Sequence, residues 1–170
     1  PDDYWASSVA IWEYDVPVPF GMEFEYRTTH ARGSAIGQPA DGLAFFFAKN
    51  RAAYGPNVTP PIGHRRGIVL DGTGLSVHLD TYVSRSVELH SPWATVLGNW
   101  PSNDVFTDGA WRRVRVDVFT NRVDVYFEGQ RVIRWWGTVP TTYEGIGFSA
   151  GTGASASDHR VRNARLIRID

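Results

Sequence analysis

The feature that most constrains the fold is a run of five apolar residues, Leu43-Ala44-Phe45-Phe46-Phe47, preceded by Asp41 and Gly42. A run this short and this rich in aromatic side chains favours a strand buried on both faces over a helix. Asp41 and Gly42 then fall where the chain enters the strand. A carboxylate at the rim of a rigid strand can accept hydrogen bonds from a polar ligand such as a sugar. The alternative is an Asp-Gly pair that only satisfies loop amides.

Strand patterns continue along the rest of the chain. Met22, Phe24 and Tyr26 alternate with polar residues and predict a strand with one apolar face. Regular alternation from Trp111 to Trp136 predicts a three-stranded meander with one apolar and one polar face. Further strands are predicted at Ser7–Trp12, Leu75–Tyr82, Ile146–Ala150 and Val161–Ile169. No segment has a helical period, so we expect a single all-β sandwich domain over residues 1–170.

Two stretches are predicted from turn chemistry and composition. Asp71-Gly72 lies between apolar runs and predicts a tight hairpin that joins Gly67–Leu70 to Leu75–Tyr82. The stretch from Val83 to Gly109 is expected to be irregular. Its Trp93 and Trp100 are candidates for exposed sugar stacking, whereas Trp111 and one of Trp135 and Trp136 are expected to pack inward.

Composition excludes several classes of function. The formal net charge is −1, which argues against a nucleic-acid or membrane-surface binder that works by electrostatic attraction. Arginines on the strands alternate with acids, as is typical of a solvated sheet face. The chain has no cysteine, so disulfides, a thiolate nucleophile and a cysteine-based zinc site are excluded. No apolar stretch is long enough to predict membrane insertion.

Three segments, in order, carry a resemblance to a known family: Ala40–Phe46, Val77–Tyr82, and Gly147–Gly153 with His159 beyond. Together they resemble the L-type (legume-type) lectins of the concanavalin A-like superfamily. The resemblance covers most of the chain. It implies a jelly-roll sandwich of two antiparallel sheets whose apical loops bind sugars beside bound metal ions.

The resemblance also implies roles for individual residues. Asp41, with Gly42 beside it, matches the family's sugar-binding aspartate, which follows a cis peptide there. Tyr82 matches an aromatic that stacks on sugar and ligates calcium through its carbonyl. The backbone amides of the last loop would also reach the ligand, at Gly151, Thr152, Gly153 and Ala154.

The metal positions depart from the family pattern. Asp80 matches the metal-bridging aspartate, but His78 stands where the family usually has glutamate. Ser84 stands in place of an asparagine that serves calcium and sugar together, and Glu88 and His90 lie near the remaining acid and histidine positions. Calcium prefers several oxygen ligands, including carboxylates. His78, Asp80 and His90 are instead a set that suits a transition metal, and His78 as an ordinary strand residue is a third reading.

An enzyme of the same architecture would need two carboxylates about 5–10 Å apart. Glu23 and Glu25 share a face of one strand but read equally well as solvated charges. We therefore expect no catalysis. The predicted function is glycan binding by an extracellular or cell-surface module of a larger protein, with calcium as a candidate cofactor. The alternative is a structural or protein-interaction module that has lost metal and sugar.

Overall fold

The structure is a computed structural model that describes residues 7–12, 14–30, 42–49, 74–81, 86–91, 95–98, 108–151 and 157–169. All regular structure in these ranges is β-strand. The strands are β1 (Ser7–Trp12), β2 (Val16–Pro17), β3 (Phe20–His30), β4 (Gly42–Ala48), β5 (Leu75–Asp80), β6 (Val87–His90), β7 (Thr95–Gly98), β8 (Arg112–Phe119), β9 (Arg122–Phe127), β10 (Gln130–Trp136), β11 (Thr142–Tyr143), β12 (Gly145–Gly151) and β13 (Ser157–Ile167).

One sheet has six antiparallel strands in the order β1-β12-β4-β5-β6-β7. The apolar run forms β4, which lies inside this sheet between β12 and β5, and all seven of its residues are buried. Leu43, Phe45 and Phe47 belong to the core cluster, whereas Ala44 and Phe46 point to the other face and are still 0% exposed. The prediction of a strand buried on both faces is confirmed.

The second sheet has five antiparallel strands in the order β10-β9-β8-β3-β13. It contains the predicted meander, in which β8 pairs with β9 and β9 with β10. Valines at alternate positions of β8 are fully buried, and the residues between them carry charge. β2 and β11 form a separate two-stranded antiparallel ribbon.

The two sheets share one hydrophobic core. Aromatic rings from both sheets meet there: the Phe24 centroid lies 5.6 Å from that of Phe45 and 4.8 Å from that of Phe148. Phe45 and Phe148, on neighbouring strands, are 5.3 Å apart. Packing of alternate side chains from two facing sheets is what makes the sandwich stable. The all-β fold class is confirmed.

Some details differ from the prediction. The stretch expected to be irregular contains β6 and β7. Gly67–Leu70 lies outside the described residues, while β5 pairs with β4 on one side and β6 on the other. Trp135 packs against the core, as predicted for one of Trp135 and Trp136. Trp111, which was also expected to pack inward, is half-buried outside the core cluster, and the guanidinium groups of Arg27 and Arg162 lie over its ring. Trp93 and Trp100 are outside the described ranges.

In the described ranges, no helix has the length and apolar character needed to cross a membrane.

Candidate functional site

The ends of three neighbouring strands, from distant parts of the chain, form one row at one end of the six-stranded sheet. Gly42 at the start of β4 is paired with Gly151 at the end of β12 and with Asp80 at the end of β5. Adjacent strands are about 4.8 Å apart, so the row is about 10 Å wide. The segments that follow Asp80 and Gly151, and the one that precedes Gly42, therefore start from neighbouring points.

Gly42 is the tightest point of this row. Its φ is +133°, a conformation that L side chains rarely adopt. A Cβ atom added there would lie 2.2 Å from the carbonyl oxygen of Leu79, far inside van der Waals contact. Only glycine lets β4 approach β5 this closely, so a side chain at position 42 would disrupt the pairing of Gly42 with Asp80.

Beside the row, β5 and β6 present polar side chains on the face away from the core. Leu75, Val77 and Leu79 enter the core cluster, and the alternate positions of β5 are polar, as expected for a period of two. The polar positions are Ser76, His78 and Asp80 on β5, with Glu88 and His90 on β6 and Ser86 just before it. Asp80 is 0% exposed and Glu88 is 4% exposed, so these are buried polar groups that need partners.

Most of that need is met inside the group. Ser86 Oγ donates to Glu88 Oε1 at 2.9 Å, and His90 Nε2 lies 2.7 Å from Glu88 Oε2. His78 Nε2 shares a 2.7 Å hydrogen bond with Ser76 Oγ. The rings of His78 and His90 are in contact, with centroids 4.2 Å apart. Ser76 and Ser86 were not singled out from the sequence, although their spacing of two from His78 and Glu88 was a readable signal.

Among the described residues, this donor set offers calcium two carboxylates, Asp80 and Glu88, which is a small number. Both carboxylate oxygens of Glu88 already accept hydrogen bonds, and an imidazole stands at position 78 where an oxygen ligand is expected. A calcium ion takes six to eight oxygens. In the described ranges, no three histidine or acidic residues cluster with metal-site geometry.

A second histidine contact lies in the five-stranded sheet, between the neighbouring strands β3 and β13. The hydroxyl of Tyr26 on β3 is 3.1 Å from Nδ1 of His159 on β13, and the two rings are stacked. Burial raises the pKa of Tyr26, and the negative charge of Asp80 acts in the same direction. Tyr26 therefore stays protonated and serves as a structural hydrogen-bond partner.

The described part of the chain contains only some of the predicted site residues. Gly42, Gly151 and Asp80 are brought together in the row, and His78, Glu88 and His90 lie on the adjoining strands. Outside it lie Asp41, with the predicted cis bond before it, and Tyr82, Ser84, Thr152, Gly153 and Ala154. Their contact with a ligand stays a prediction.

Solved structures resemble this fold over nearly its whole length. The exoplasmic/lumenal domain of VIP36, in a Ca²⁺/Man-bound form, superposes with a TM-score of 0.72 at 17% identity, over 99% of this chain and 76% of that one. The winged bean acidic lectin, complexed with methyl-α-D-galactose, gives 0.65 at 18% identity over 94% and 78%. The lectin UEA-II, complexed with galactose, gives 0.62 at 17% identity over 96% and 82%. No family model matches the sequence, and no curated protein matches it.

The chain is therefore an all-β protein with the fold of the L-type lectins. The structures it resembles are lectins. At these identities the likeness establishes the fold alone.

Proposed function

We propose that the protein is a non-catalytic glycan-binding module whose site lies above the row formed by Gly151, Gly42 and Asp80. The row is the single observation that carries the proposal. It gives three segments a common base about 10 Å wide, which is the width of one or two sugar rings. The family resemblance rests on these three segments, and the solved structures that this fold resembles include sugar complexes.

The proposed roles follow from the chemistry of the adjoining residues. Asp41 accepts hydrogen bonds from two sugar hydroxyls, and amides of Gly151, Thr152, Gly153 and Ala154 donate to others. Tyr82 covers the apolar face of the ring, as aromatic side chains do in sugar sites. Ser84 supplies a further hydroxyl. Binding of this kind is shallow and polar.

Catalysis is not part of the proposal. Glu23 and Glu25, the carboxylate pair with suitable spacing, are each bound to an arginine, Arg165 and Arg162 respectively. A general acid needs a carboxyl that is protonated near neutral pH, and the hydrogen bond from Arg162 lowers the pKa of Glu25 instead. We also propose that the module belongs to a larger extracellular or cell-surface protein.

A glycan array on the wild type and on two variants tests the proposal. We expect reproducible binding by the wild type and loss of the signal in Asp41→Ala, with partial retention in Asp41→Asn because the amide oxygen still accepts one hydrogen bond. The matched control is Asp15→Ala, an exposed acid near the β2 ribbon, which should bind as the wild type does. A blank array for the folded wild type would contradict the proposal and favour a structural or protein-interaction module.

A further inference from the structure

A groove crosses the face of the five-stranded sheet that points away from the core. It consists of two adjoining cavities of about 330 and 390 Å³. Glu23 and Arg113, which stand on neighbouring strands β3 and β8, line both of them. Tyr126 and Asp117 are among the other residues that line one cavity, and Asn163 and Arg165 are among those that line the other. The groove lies on the opposite sheet from the row of strand ends.

The carboxylates of the groove are already compensated. Glu23 pairs with Arg165 at 2.7 Å, Asp117 with Arg115 at 2.8 Å, and Glu25 with Arg162 at 2.6 Å. Three acids are thus matched by three arginines. Ion pairs at a surface contribute only about 0–1 kcal/mol each, so these pairs make the walls polar and nearly neutral without adding much stability.

Positive charge is left over in the groove. Arg113 is exposed and lines both cavities, and within the described ranges it makes no ion pair. Arg131 is also exposed, stands opposite Tyr126 on the neighbouring strand, and likewise has no ion pair there. The carboxylate of Glu128 accepts a hydrogen bond from the backbone amide of Arg113, but it is paired with Arg112, so Arg113 and Arg131 leave a positive balance here.

The remaining groups suit a hydroxyl-rich ligand. Asn163 has a φ of +54° at the bulge in β13, and its amide donates to Glu25 at 2.7 Å. Carboxylates have four lone-pair sites and accept from hydroxyls even while they pair with arginine. The half-buried ring of Tyr126 offers an apolar edge.

We propose that this groove is a second carbohydrate site, which binds an oligosaccharide containing uronic acid residues. A uronate carboxylate pairs with Arg113, and with Arg131 when the ligand extends across β9. Ring hydroxyls donate to Glu23 and Asp117. The site is independent of the loops beyond Gly42, Asp80 and Gly151.

Calorimetric titration tests the proposal with tetragalacturonate and its fully methyl-esterified form, at about 0.15 M salt. We expect the wild type to bind the acid form about tenfold more tightly than the ester, the value of one charge-assisted hydrogen bond. Arg113→Gln should weaken binding of the acid form about tenfold and leave the ester unchanged, and Arg131→Gln should act in the same direction. The matched control is Lys49→Gln, which removes one exposed positive charge from the end of β4 and should change nothing.

Several results would overturn the proposal. They are no binding of the acid form by the wild type, equal affinity for acid and ester, or wild-type affinity in Arg113→Gln. Displacement by duplex DNA at equal phosphate concentration would show a general polyanion surface instead. Loss of oligouronate binding in Asp41→Ala, with Arg113→Gln unaffected, would move the ligand to the loops. Because the two sites carry different variants, failure here leaves the glycan array result untouched.

Discussion

At the scale of single residues, the positive φ of Gly42 and its close approach to Leu79 constrain which residue can stand at position 42. Asp41-Gly42 stands out in the sequence because the carboxylate of Asp41 is a candidate acceptor for sugar hydroxyls. The sequence predicts that Gly42 lies where the chain enters the strand. Its close approach to Leu79, however, results from the pairing of β4 with β5, which lies more than thirty residues further along the chain. No local pattern reports such a contact.

We expect Gly42→Ala to lower the free energy of unfolding by about 3–4 kcal/mol, because it adds a steric clash to an unfavourable φ. Gly129→Ala is the matched control: Gly129 also has a positive φ, +80°, but an added Cβ meets nothing within 4 Å. It should cost about 1 kcal/mol. Urea denaturation measures both. Equal losses would mean that the contact with Leu79 is not restrictive.

Tyr143 is the second informative residue. Its ring is fully buried between Phe20 and Phe47, and in the described part of the chain its hydroxyl has no hydrogen-bond partner. Burial raises its pKa above the ordinary value of 10.0. Above pH 10 the unfolded chain loses this proton while the folded chain keeps it, so the free energy of unfolding falls as pH rises.

We therefore expect Tyr143→Phe to match or slightly exceed wild-type stability at pH 7, since no hydrogen bond is lost. Between pH 9 and 11 its advantage should grow by about 1 kcal/mol, because one ionisable group is removed from the unfolded state. Urea midpoints across this pH range measure the effect. A parallel pH dependence for the two proteins would be inconsistent with the buried, protonated hydroxyl.

At the scale of strands, the long and regular patterns were predictable and the short ones were not. The meander and β4 carry enough alternating or apolar residues to be recognised. β6 and β7 have four residues each, which is too few to separate a strand from chance. The Asp71-Gly72 hairpin was predicted from a local turn signal, and its first strand, Gly67–Leu70, lies outside the described residues. The observed partners of β5 are β4 and β6, and a local signal does not predict that strand order.

Burial of β4 on both faces gives a prediction at this scale. Phe45 packs between the sheets and Phe46 points the other way, yet both are 0% exposed. We expect Phe45→Ala and Phe46→Ala to destabilise the protein alike, each by about 3–5 kcal/mol. Thermal and urea unfolding measure the loss. A cost below about 1 kcal/mol for Phe46→Ala would contradict a covered outer face, since surface substitutions have effects of that size.

At the scale of the whole molecule, the resemblance predicted the sandwich correctly, because fold depends on the general pattern of apolar residues. The metal positions were less predictable, because they depend on which hydrogen bonds each side chain makes. Glu88 and His90 were identified as candidate ligands, but the hydrogen bonds that join Glu88 to His90 and to Ser86, each two residues apart along the chain, were not predicted.

The small number of carboxylates among the described residues predicts the response to calcium. We expect the melting temperature to be the same, within about 1 °C, in millimolar calcium and in EDTA. An ion bound at one hundred times its Kd would add about 2.7 kcal/mol, which is a rise of roughly 5–10 °C for a chain of this size. A rise of that size would show that ligands beyond Asp80 and Glu88 complete a calcium site, and Asp80→Asn should then abolish it.

The row of Gly151, Gly42 and Asp80 also bears on how such a protein diversifies. Because main-chain bonds tie the three anchor points together, insertions or replacements in residues 82–85 and 152–156 leave the distance between those anchors unchanged. Under the proposed glycan-binding function, ligand specificity can then change, in evolution or in a randomised library, while the strand pairing stays the same. Gly42 must stay constant in such a library, because a side chain there would collide with the backbone of Leu79.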